Sequence, residues 1–152
     1  MPSPSLPDVT TTTALGPYRL DTQVGYLLRR ATQRHTAIFA EKMEGRLTPT
    51  QFSALVRLAE AGPCSQNELG RRTAMDGATI KGVVDRLRSL GYVTATADTA
   101  DRRRTSLDLT AEGRALVGEA VPVGAAISAE TLAPLTPEEA AELIRLLALI
   151  AE

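Results

Sequence analysis

The stretch that decides the fold covers residues 64–113 and reads CSQNELGRRTAMDGATIKGVVDRLRSLGYVTATADTADRRRTSLDLTAEG. It contains a short helical segment, a tight turn, a longer amphipathic segment and two β-prone runs separated by a charged loop. Each part carries its own start and stop signals, so the order of elements can be predicted before any longer-range argument. The stretch predicts two helices followed by a β-hairpin.

The longer helix is predicted to run from Asp76 to Gly91. Asp76 is a suitable N-cap, because its carboxylate can accept hydrogen bonds from the first-turn amides, and glycine often ends a helix. Its outward face begins with small and polar residues, which would let the helix enter a DNA major groove. An ordinary amphipathic helix with a solvated face is the alternative. The apolar residues at helical spacing, predicted to be buried, are Ile80, Val83, Val84, Leu87 and Leu90.

The shorter helix and the hairpin flank this segment. Ser65 and Glu68 have the S-x-x-E spacing of a capping box, and a short helix is predicted from Leu69 to about Thr73. The β-prone runs are Tyr92 to Thr96 and Thr105 to Leu109. The loop between them holds three consecutive arginines, which suit DNA phosphates or a narrow minor groove, and Asp101 is predicted to orient the second of them. A solvated charged loop is the other interpretation.

On these residues the sequence resembles the multiple-antibiotic-resistance regulator (MarR) family of winged helix-turn-helix transcription factors, over about residues 21–151. The motifs that carry the resemblance are Leu47-Thr48-Pro49-Thr50-Gln51-Phe52, Ser65-Gln66-Asn67-Glu68-Leu69, Leu87-x-x-Leu90-Gly91-Tyr92-Val93, and Asp101-x-Arg103 leading to Leu109-Thr110-x-x-Gly113.

The resemblance implies a mainly α fold with a small β wing. It places a winged helix-turn-helix at about residues 47–110 and helical dimerisation regions at about 21–44 and 111–151. It also implies a homodimer that binds a double-stranded DNA operator, most simply as a repressor. The candidate DNA-binding residues are Ser65, Gln66, Gly77, Ala78, Thr79, Lys81, Gly82, Arg86, Arg102, Arg103 and Arg104.

Composition is consistent with this interpretation. The 152 residues predict one domain at residues 19–152, preceded by a flexible arm at residues 1–18 that is rich in Pro, Thr and Ser. The net charge is −1, but residues 64–110 hold eight Lys or Arg against six Asp or Glu, whereas residues 111–152 hold two against seven. The absence of an uninterrupted 18-residue apolar run, of a signal peptide and of a second cysteine predicts a cytoplasmic protein without a membrane span.

The remaining helices are predicted from their caps. Asp21 is predicted to cap a helix from Thr22 to about Glu44, and Thr48-Pro49-Thr50-Gln51 is a capping box for a second helix whose inward residues are predicted to be Phe52, Leu55, Val56 and Ala59. Pro122 and Gly124 predict a kink or break in the helix that starts near residue 110. Thr136-Pro137-Glu138-Glu139 opens a last helix that is apolar most of the way round, so a second subunit is expected to cover part of it.

Members of the family commonly bind small aromatic acids between the dimerisation helices and the winged helix, and the resemblance implies the same here. His35 lies amid apolar residues of the first helix, with Arg30 and Arg34 beside it for a carboxylate or phosphate. Together with Arg29, these cations suggest an aromatic acid or its coenzyme A thioester. Pairing of the arginines with the acidic C-terminal segment across the dimer is the alternative. The candidate ligand-binding residues are Arg30, Arg34, His35, Ile38, Phe39 and Phe52.

The same residues allow other functions. A winged helix that binds only proteins and a repressor that senses oxidation at Cys64 both remain as alternatives, because a thiol before a helix N-terminus can have a lowered pKa. A small residue packed at a corner is the other interpretation of Cys64. With one histidine and one cysteine, no zinc site is predicted, since zinc needs about four ligands. No set of nucleophile, base and orienting group is visible, so neither an enzyme nor a cofactor is predicted.

Overall fold

The computed structural model describes residues 14–101 and 103–152, and the chain divides into one unit up to Gln33 and a second from Arg34. A 3-10 turn at Leu20–Thr22 precedes the first long helix. The elements, in chain order, are α1 (Val24–Met43), α2 (Pro49–Ala61), α3 (Gln66–Arg72), α4 (Gly77–Ser89), β1 (Val93–Ala97), β2 (Thr105–Leu109), α5 (Ala111–Leu132) and α6 (Pro137–Ile150).

The first unit corrects one predicted cap. Asp21 lies inside the 3-10 turn rather than at the start of α1. The backbone carbonyl of Arg19 accepts from the Thr22 hydroxyl and the Gln23 side-chain amide, both at 3.0 Å, so an extra turn forms before the helix. The large apolar side chains of this unit are exposed within the single chain; they are Leu15, Tyr18, Leu20, Val24, Leu27 and Leu28.

The predicted caps of the helix-turn-helix segment are largely confirmed. The Thr48 hydroxyl accepts from the Gln51 amide and the Gln51 side chain accepts from the Thr48 amide, so α2 begins with a complete capping box. The Ser65 hydroxyl accepts from the Glu68 amide at 3.2 Å, and α3 begins at Gln66, three residues earlier than predicted. The Glu68 carboxylate binds the guanidinium groups of Arg71 and Arg72 instead of returning to Ser65. Local sequence therefore fixes where these helices start.

Helix α4 follows the predicted pattern except at its end. The Asp76 carboxylate accepts from the Thr79 amide at 2.7 Å, and Gly91 closes the helix with a φ of 81°. Leu90 is 41% exposed, contrary to prediction, because it is the C-cap residue and lies beyond the last complete turn. The prediction for α2 was likewise wrong at Ala59, which is exposed. The buried face of α4 consists of Ile80, Val83, Val84 and Leu87.

The wing is a two-stranded antiparallel sheet in which Val93 pairs with Leu109 and Ala97 with Thr105. Cys64 adds a third short contact, since its backbone exchanges hydrogen bonds with Leu107 at 2.8 and 3.1 Å. Leu107 and Leu109 point into the core, as their alternation predicts. The wing is thereby tied to the residue that precedes α3.

Helix α5 runs without interruption through Pro122, so the predicted break was wrong. Ala120 and Ile127, on either side of the proline, are both buried, and this packing holds the helix together despite the amide that proline lacks. Gly124 lies against the Phe52 ring of α2, where a Cβ would come within 2.6 Å of a ring carbon. Glycine here serves close helix packing rather than a break.

Helix α5 also qualifies the prediction about membranes. By length and composition alone it could cross one, since an 18-residue window has a mean hydropathy of 1.3. A helix that packs against other helices passes the same test. Helix α2 contacts α5, and the charged side chain of Glu130 on α5 pairs with Lys42 at 2.8 Å. These contacts favour a packing helix.

Helix α6 begins with the predicted capping box, in which Thr136 and Glu139 bond reciprocally. None of its residues is buried within the single chain. The core instead draws on the second half of α1, on α2 to α5 and on the wing. The exposed aliphatic side chains of α6 are Leu143, Ile144, Leu146, Leu147, Leu149 and Ile150.

Candidate DNA-contacting surface and effector pocket

The outward face of α4 is exposed, as the sequence predicts. Gly77, Ala78 and Thr79 form its first turn, and Lys81 and Gly82 follow on the same side. Small residues at the start of the helix leave room for the backbone to approach a groove floor. Arg86 is also exposed, while Ser65 and the partly exposed Gln66 lie at the start of α3.

Lys81 is not a free cation on this face. Its ammonium group lies 2.6 Å from the Asp85 carboxylate, one helical turn away. Both side chains are exposed, so the pair is worth little in stability and can open when a stronger partner arrives. A DNA phosphate or a guanine edge would compete with Asp85 for the same ammonium group.

The wing tip is ordered by its own acidic residues. The Asp101 carboxylate accepts from the backbone amide of Arg103 at 3.0 Å, and the Asp98 carboxylate accepts from the backbone amide of Ala100 at 2.9 Å. Asp101 therefore shapes the turn through the backbone, whereas the sequence suggested that it would orient the Arg103 side chain. Arg103 and Arg104 are exposed, and Arg102 lies outside the described residues.

Arg57, on α2, links that helix to the helix-turn-helix and was missed at the sequence level. Its Nε donates to the backbone carbonyl of Arg72, the last residue of α3, at 3.1 Å, and its Nη1 pairs with Glu60 at 2.8 Å. The bond satisfies a carbonyl that a helix end leaves without a partner. In the sequence Arg57 resembles any surface residue with an acidic neighbour, so no local pattern reveals the contact.

A pocket of about 190 Å³ opens where α1, α2 and α5 meet. Three of the six predicted ligand-binding residues, His35, Phe39 and Phe52, line it together. The two phenyl rings pack edge to face with centroids 6.1 Å apart. The other lining residues are Pro49, Ser53, Gly124, Ile127 and Ser128. The lining combines aromatic and aliphatic walls with two hydroxyls and one imidazole.

The other three predicted ligand-binding residues have different positions. Ile38 is buried in the core. The Arg34 guanidinium donates to the carbonyls of Thr131 and Glu130, the latter at 2.8 Å, and so caps the last turn of α5. Arg30 belongs to the first unit, where its guanidinium lies 5.8 Å from the centroid of the Tyr26 ring, and Arg29 lies over the same ring at 5.5 Å.

Cys64 has the surroundings of a structural thiol. It is partly buried and bridged to Leu107 through its backbone. Burial raises the pKa of its thiol, Glu68 acts in the same direction, and the nearby Arg72 only partly opposes them. A raised pKa leaves less thiolate, the form that reacts with oxidants. These features favour the packed-corner interpretation over a redox sensor.

Together, α2 to α4, the exposed small-residue face of α4 and the arginine-tipped wing define a winged helix-turn-helix DNA-binding protein. Known proteins with similar sequences belong to the same class. A family model described as the MarR family matches residues 47–104. The HTH-type transcriptional repressor NicR of Pseudomonas putida is 42% identical over 132 residues, covering 86% of this chain and 84% of that protein.

Two solved structures are also similar. A probable transcriptional regulator from Pseudomonas aeruginosa has 49% identity and a TM-score of 0.84, with 87% of this chain and 99% of that chain covered. Bordetella bronchiseptica BpsR, whose DNA binding is regulated by 6-hydroxynicotinic acid, has 41% identity and a TM-score of 0.86, with 90% and 99% covered. The chain belongs to the MarR family and is a DNA-binding transcriptional repressor, not an enzyme.

Proposed function

We propose that the protein is a homodimeric repressor that leaves a near-palindromic operator when a small aromatic acid binds. The observation that carries this proposal is the position of the pocket on α2. Phe52 and Ser53 line the pocket, and Arg57, one turn further along the same helix, bonds the end of α3. Because DNA is its target, we place the protein in the cytoplasm.

The size and lining of the pocket support a single-ring ligand. An apolar cavity of about 150 Å³ holds one benzene molecule, whereas drug-sized ligands occupy roughly 300–1,000 Å³. At about 190 Å³, the pocket matches the smaller class. The similar protein BpsR responds to 6-hydroxynicotinic acid, an aromatic acid of this size.

The free acid is favoured over its coenzyme A thioester. The thioester hypothesis requires arginines free to hold phosphates, but the Arg34 guanidinium is occupied by two backbone carbonyls. Among the described residues, no lysine or arginine lines the pocket. We therefore propose that the acid acts without its coenzyme.

We propose that ligand binding affects the DNA-contacting helices through a change in the position of α2. A ligand changes an equilibrium only by binding the two states differently. We propose that a ring bound against Phe39 and Phe52 favours a position of α2 in which the Arg57 bond to the Arg72 carbonyl is altered. Because α3 packs against α4, such a shift would change how the outward face of α4 meets the major groove.

The DNA contacts are proposed to divide between specificity and affinity. The first turns of α4, with Ala78, Thr79 and Lys81, would read base edges, while the wing arginines would bind phosphates or enter the minor groove. Arg86 and the start of α3 would fix the position on the backbone. In a two-fold dimer the half-sites would lie about one helical turn, ~10 bp, apart.

A gel shift on DNA from the protein's own promoter region tests the proposal. We expect retardation by the protein alone, and release when benzoic, nicotinic or hydroxy-substituted aromatic acids are added. The coenzyme A thioesters should act less well than the free acids. A protein that binds no DNA from this region would favour a winged helix that contacts only proteins, and binding that no aromatic acid alters would refute the effector role.

A further inference from the structure

The hydrogen bonds around His35 fix which ring nitrogen carries the proton. The Thr131 hydroxyl donates to the Ile127 carbonyl at 2.8 Å, and a carbonyl oxygen can only accept. A hydroxyl has a single proton, so the same Thr131 oxygen must accept in its second contact, with the Nδ1 atom of His35 at 2.9 Å. Nδ1 therefore carries a hydrogen, and the neutral imidazole has its free lone pair on Nε2.

We propose that His35 Nε2 accepts a hydrogen bond from a ring hydroxyl of the effector. This inference rests on the effector role proposed above and specifies the ligand further. The ligand is then a hydroxy-substituted aromatic acid, with its hydroxyl at His35, its ring against the Phe39 and Phe52 side chains that line the pocket, and its carboxylate toward the open side of the pocket.

The opposite orientation requires a different protonation of the ring. A carboxylate has only acceptor atoms, so it could meet Nε2 only if the imidazole carried a second proton there. Ser53 and Ser128 are the remaining polar side chains among the lining residues, and both hydroxyls can donate to a carboxylate. The pocket therefore offers an acceptor at His35 and donors elsewhere.

Thr131 is the positioning residue in this arrangement. It holds the imidazole through Nδ1 and is itself anchored by the Ile127 carbonyl one turn earlier on α5. Thr131→Ser keeps the hydroxyl, whereas Thr131→Val removes it at nearly constant size. The two variants form a matched pair for testing whether the hydroxyl sets the proton position.

The first test is nitrogen-15 NMR of the imidazole. Because His35 is the only histidine, the protein gives one set of ring signals. With the ring in its neutral form, we expect the Nδ1–H tautomer in the native protein and in Thr131→Ser, and a loss of this preference in Thr131→Val. An Nε2–H tautomer in the native protein would overturn the inference without touching the proposed effector role.

The second test compares hydroxybenzoic acids with the fluorobenzoic acids substituted at the same ring positions. Fluorine fills similar space but cannot donate. We expect the best hydroxy isomer to bind the native protein about tenfold more tightly than its fluoro counterpart, the effect of one buried hydrogen bond. Binding is measured by calorimetry and operator release by fluorescence anisotropy.

His35→Leu provides the control, since the preference for the hydroxy acid should disappear when both acids are compared on that variant. Equal binding of the two acids to the native protein would overturn the inference while the aromatic-acid effector stands. If no acid of either series binds or releases DNA, the proposed function fails and the inference fails with it. The NMR result and the native-protein comparison remain decisive if the variant does not fold.

Discussion

At the scale of the residue, Gly113 lies where even one added carbon atom would clash with the backbone of Tyr92. It lies in the first turn of α5, where its amide donates to the Thr110 hydroxyl at 3.0 Å. A Cβ at this position would lie deep inside van der Waals contact with the carbonyl oxygen of Tyr92, which itself accepts from the Thr110 amide. No side chain can be added without moving the wing away from α5.

Gly113→Ala is therefore expected to destabilise the protein by about 1–3 kcal/mol, the usual cost of overpacking. Gly118→Ala is the matched control, because it lies in the same helix with open space around the added carbon. That variant should gain about 0.5–1 kcal/mol from the higher helix propensity of alanine. Urea unfolding followed by circular dichroism gives both values, and equal effects would contradict the steric argument.

Residue-level patterns also mark the limit of what the sequence could predict. Thr48, Ser65, Asp76 and Thr136 were identified as caps because capping depends on neighbours within four positions. The role of Arg34 could not be predicted, because the carbonyls it binds lie 96 and 97 residues away. An arginine beside an apolar stripe gives the same sequence pattern whether it binds a ligand or caps the end of another helix.

At the scale of the element, the wing carries the clearest electrostatic prediction. Arg103→Ala should weaken binding to all DNA sequences and reduce the slope of log affinity against log salt by roughly 0.9 if one phosphate contact is lost. Arg46→Ala, in the loop between α1 and α2, removes a cation outside the proposed DNA face and serves as control. Fluorescence anisotropy over a range of salt concentrations measures both, and an unchanged slope for Arg103→Ala would remove the wing from the phosphate contacts.

Helix α4 has an N-terminal cap whose strength depends on pH. Hydrogen bonding from the Thr79 amide holds the pKa of Asp76 below its ordinary value. Since the folded-state pKa is the lower one, the charged cap stabilises the fold at pH values above the unfolded pKa of about 3.9, and this contribution is lost as the pH falls through the folded value. Asp76→Asn can still cap the helix but does not titrate.

Thermal unfolding of the native protein and of Asp76→Asn between pH 7 and pH 2.5 tests this linkage. The difference between their melting temperatures should become smaller or change sign as the pH is lowered toward 2.5. Glu68 and Glu142, whose pKa values are also lowered by arginine partners, are present in both proteins and cancel in the comparison. A gap that does not change with pH would contradict the assigned role of the Asp76 charge.

Helix α5 shows why element boundaries can escape local reasoning. Pro122 and Gly124 are common signs of a break, yet the helix continues because Ala120 and Ile127 are buried and Gly124 admits the Phe52 ring. Tertiary packing here overrides local propensity. The starts of α2, α4 and α6 and the positions of the two strands depend on short-range signals, so they were predicted closely.

At the scale of the whole molecule, we propose that α6 forms part of a dimer interface. It is well capped, yet its aliphatic face is exposed in the single chain, with Ile144 at 57% and Leu149 at 58% exposure. The first unit also exposes large apolar residues. Apolar surface of this extent on a regular helix marks an interface, and we propose that a second copy covers it.

Ile144→Glu is expected to shift the protein from dimer to monomer and to weaken operator binding, since a monomer holds only one half-site. Glu138→Gln, in the first turn of the same helix, changes one charge without touching the aliphatic face and should leave the dimer intact. Sedimentation velocity at micromolar concentration reports the mass. A native protein that sediments as a folded monomer would exclude this interface.

Pro49 has a consequence beyond starting α2. It occupies the first position of that helix, after the Thr48 cap, and it also lines the proposed effector pocket. Its ring restricts the backbone before and after folding, so this wall of the pocket loses little conformational entropy when a ligand arrives. We therefore expect more of the binding energy of the proposed effector to be available to move α2, because a less rigid wall would first have to become ordered. A pocket that is already rigid at one end would then respond to a ligand as small as a single ring.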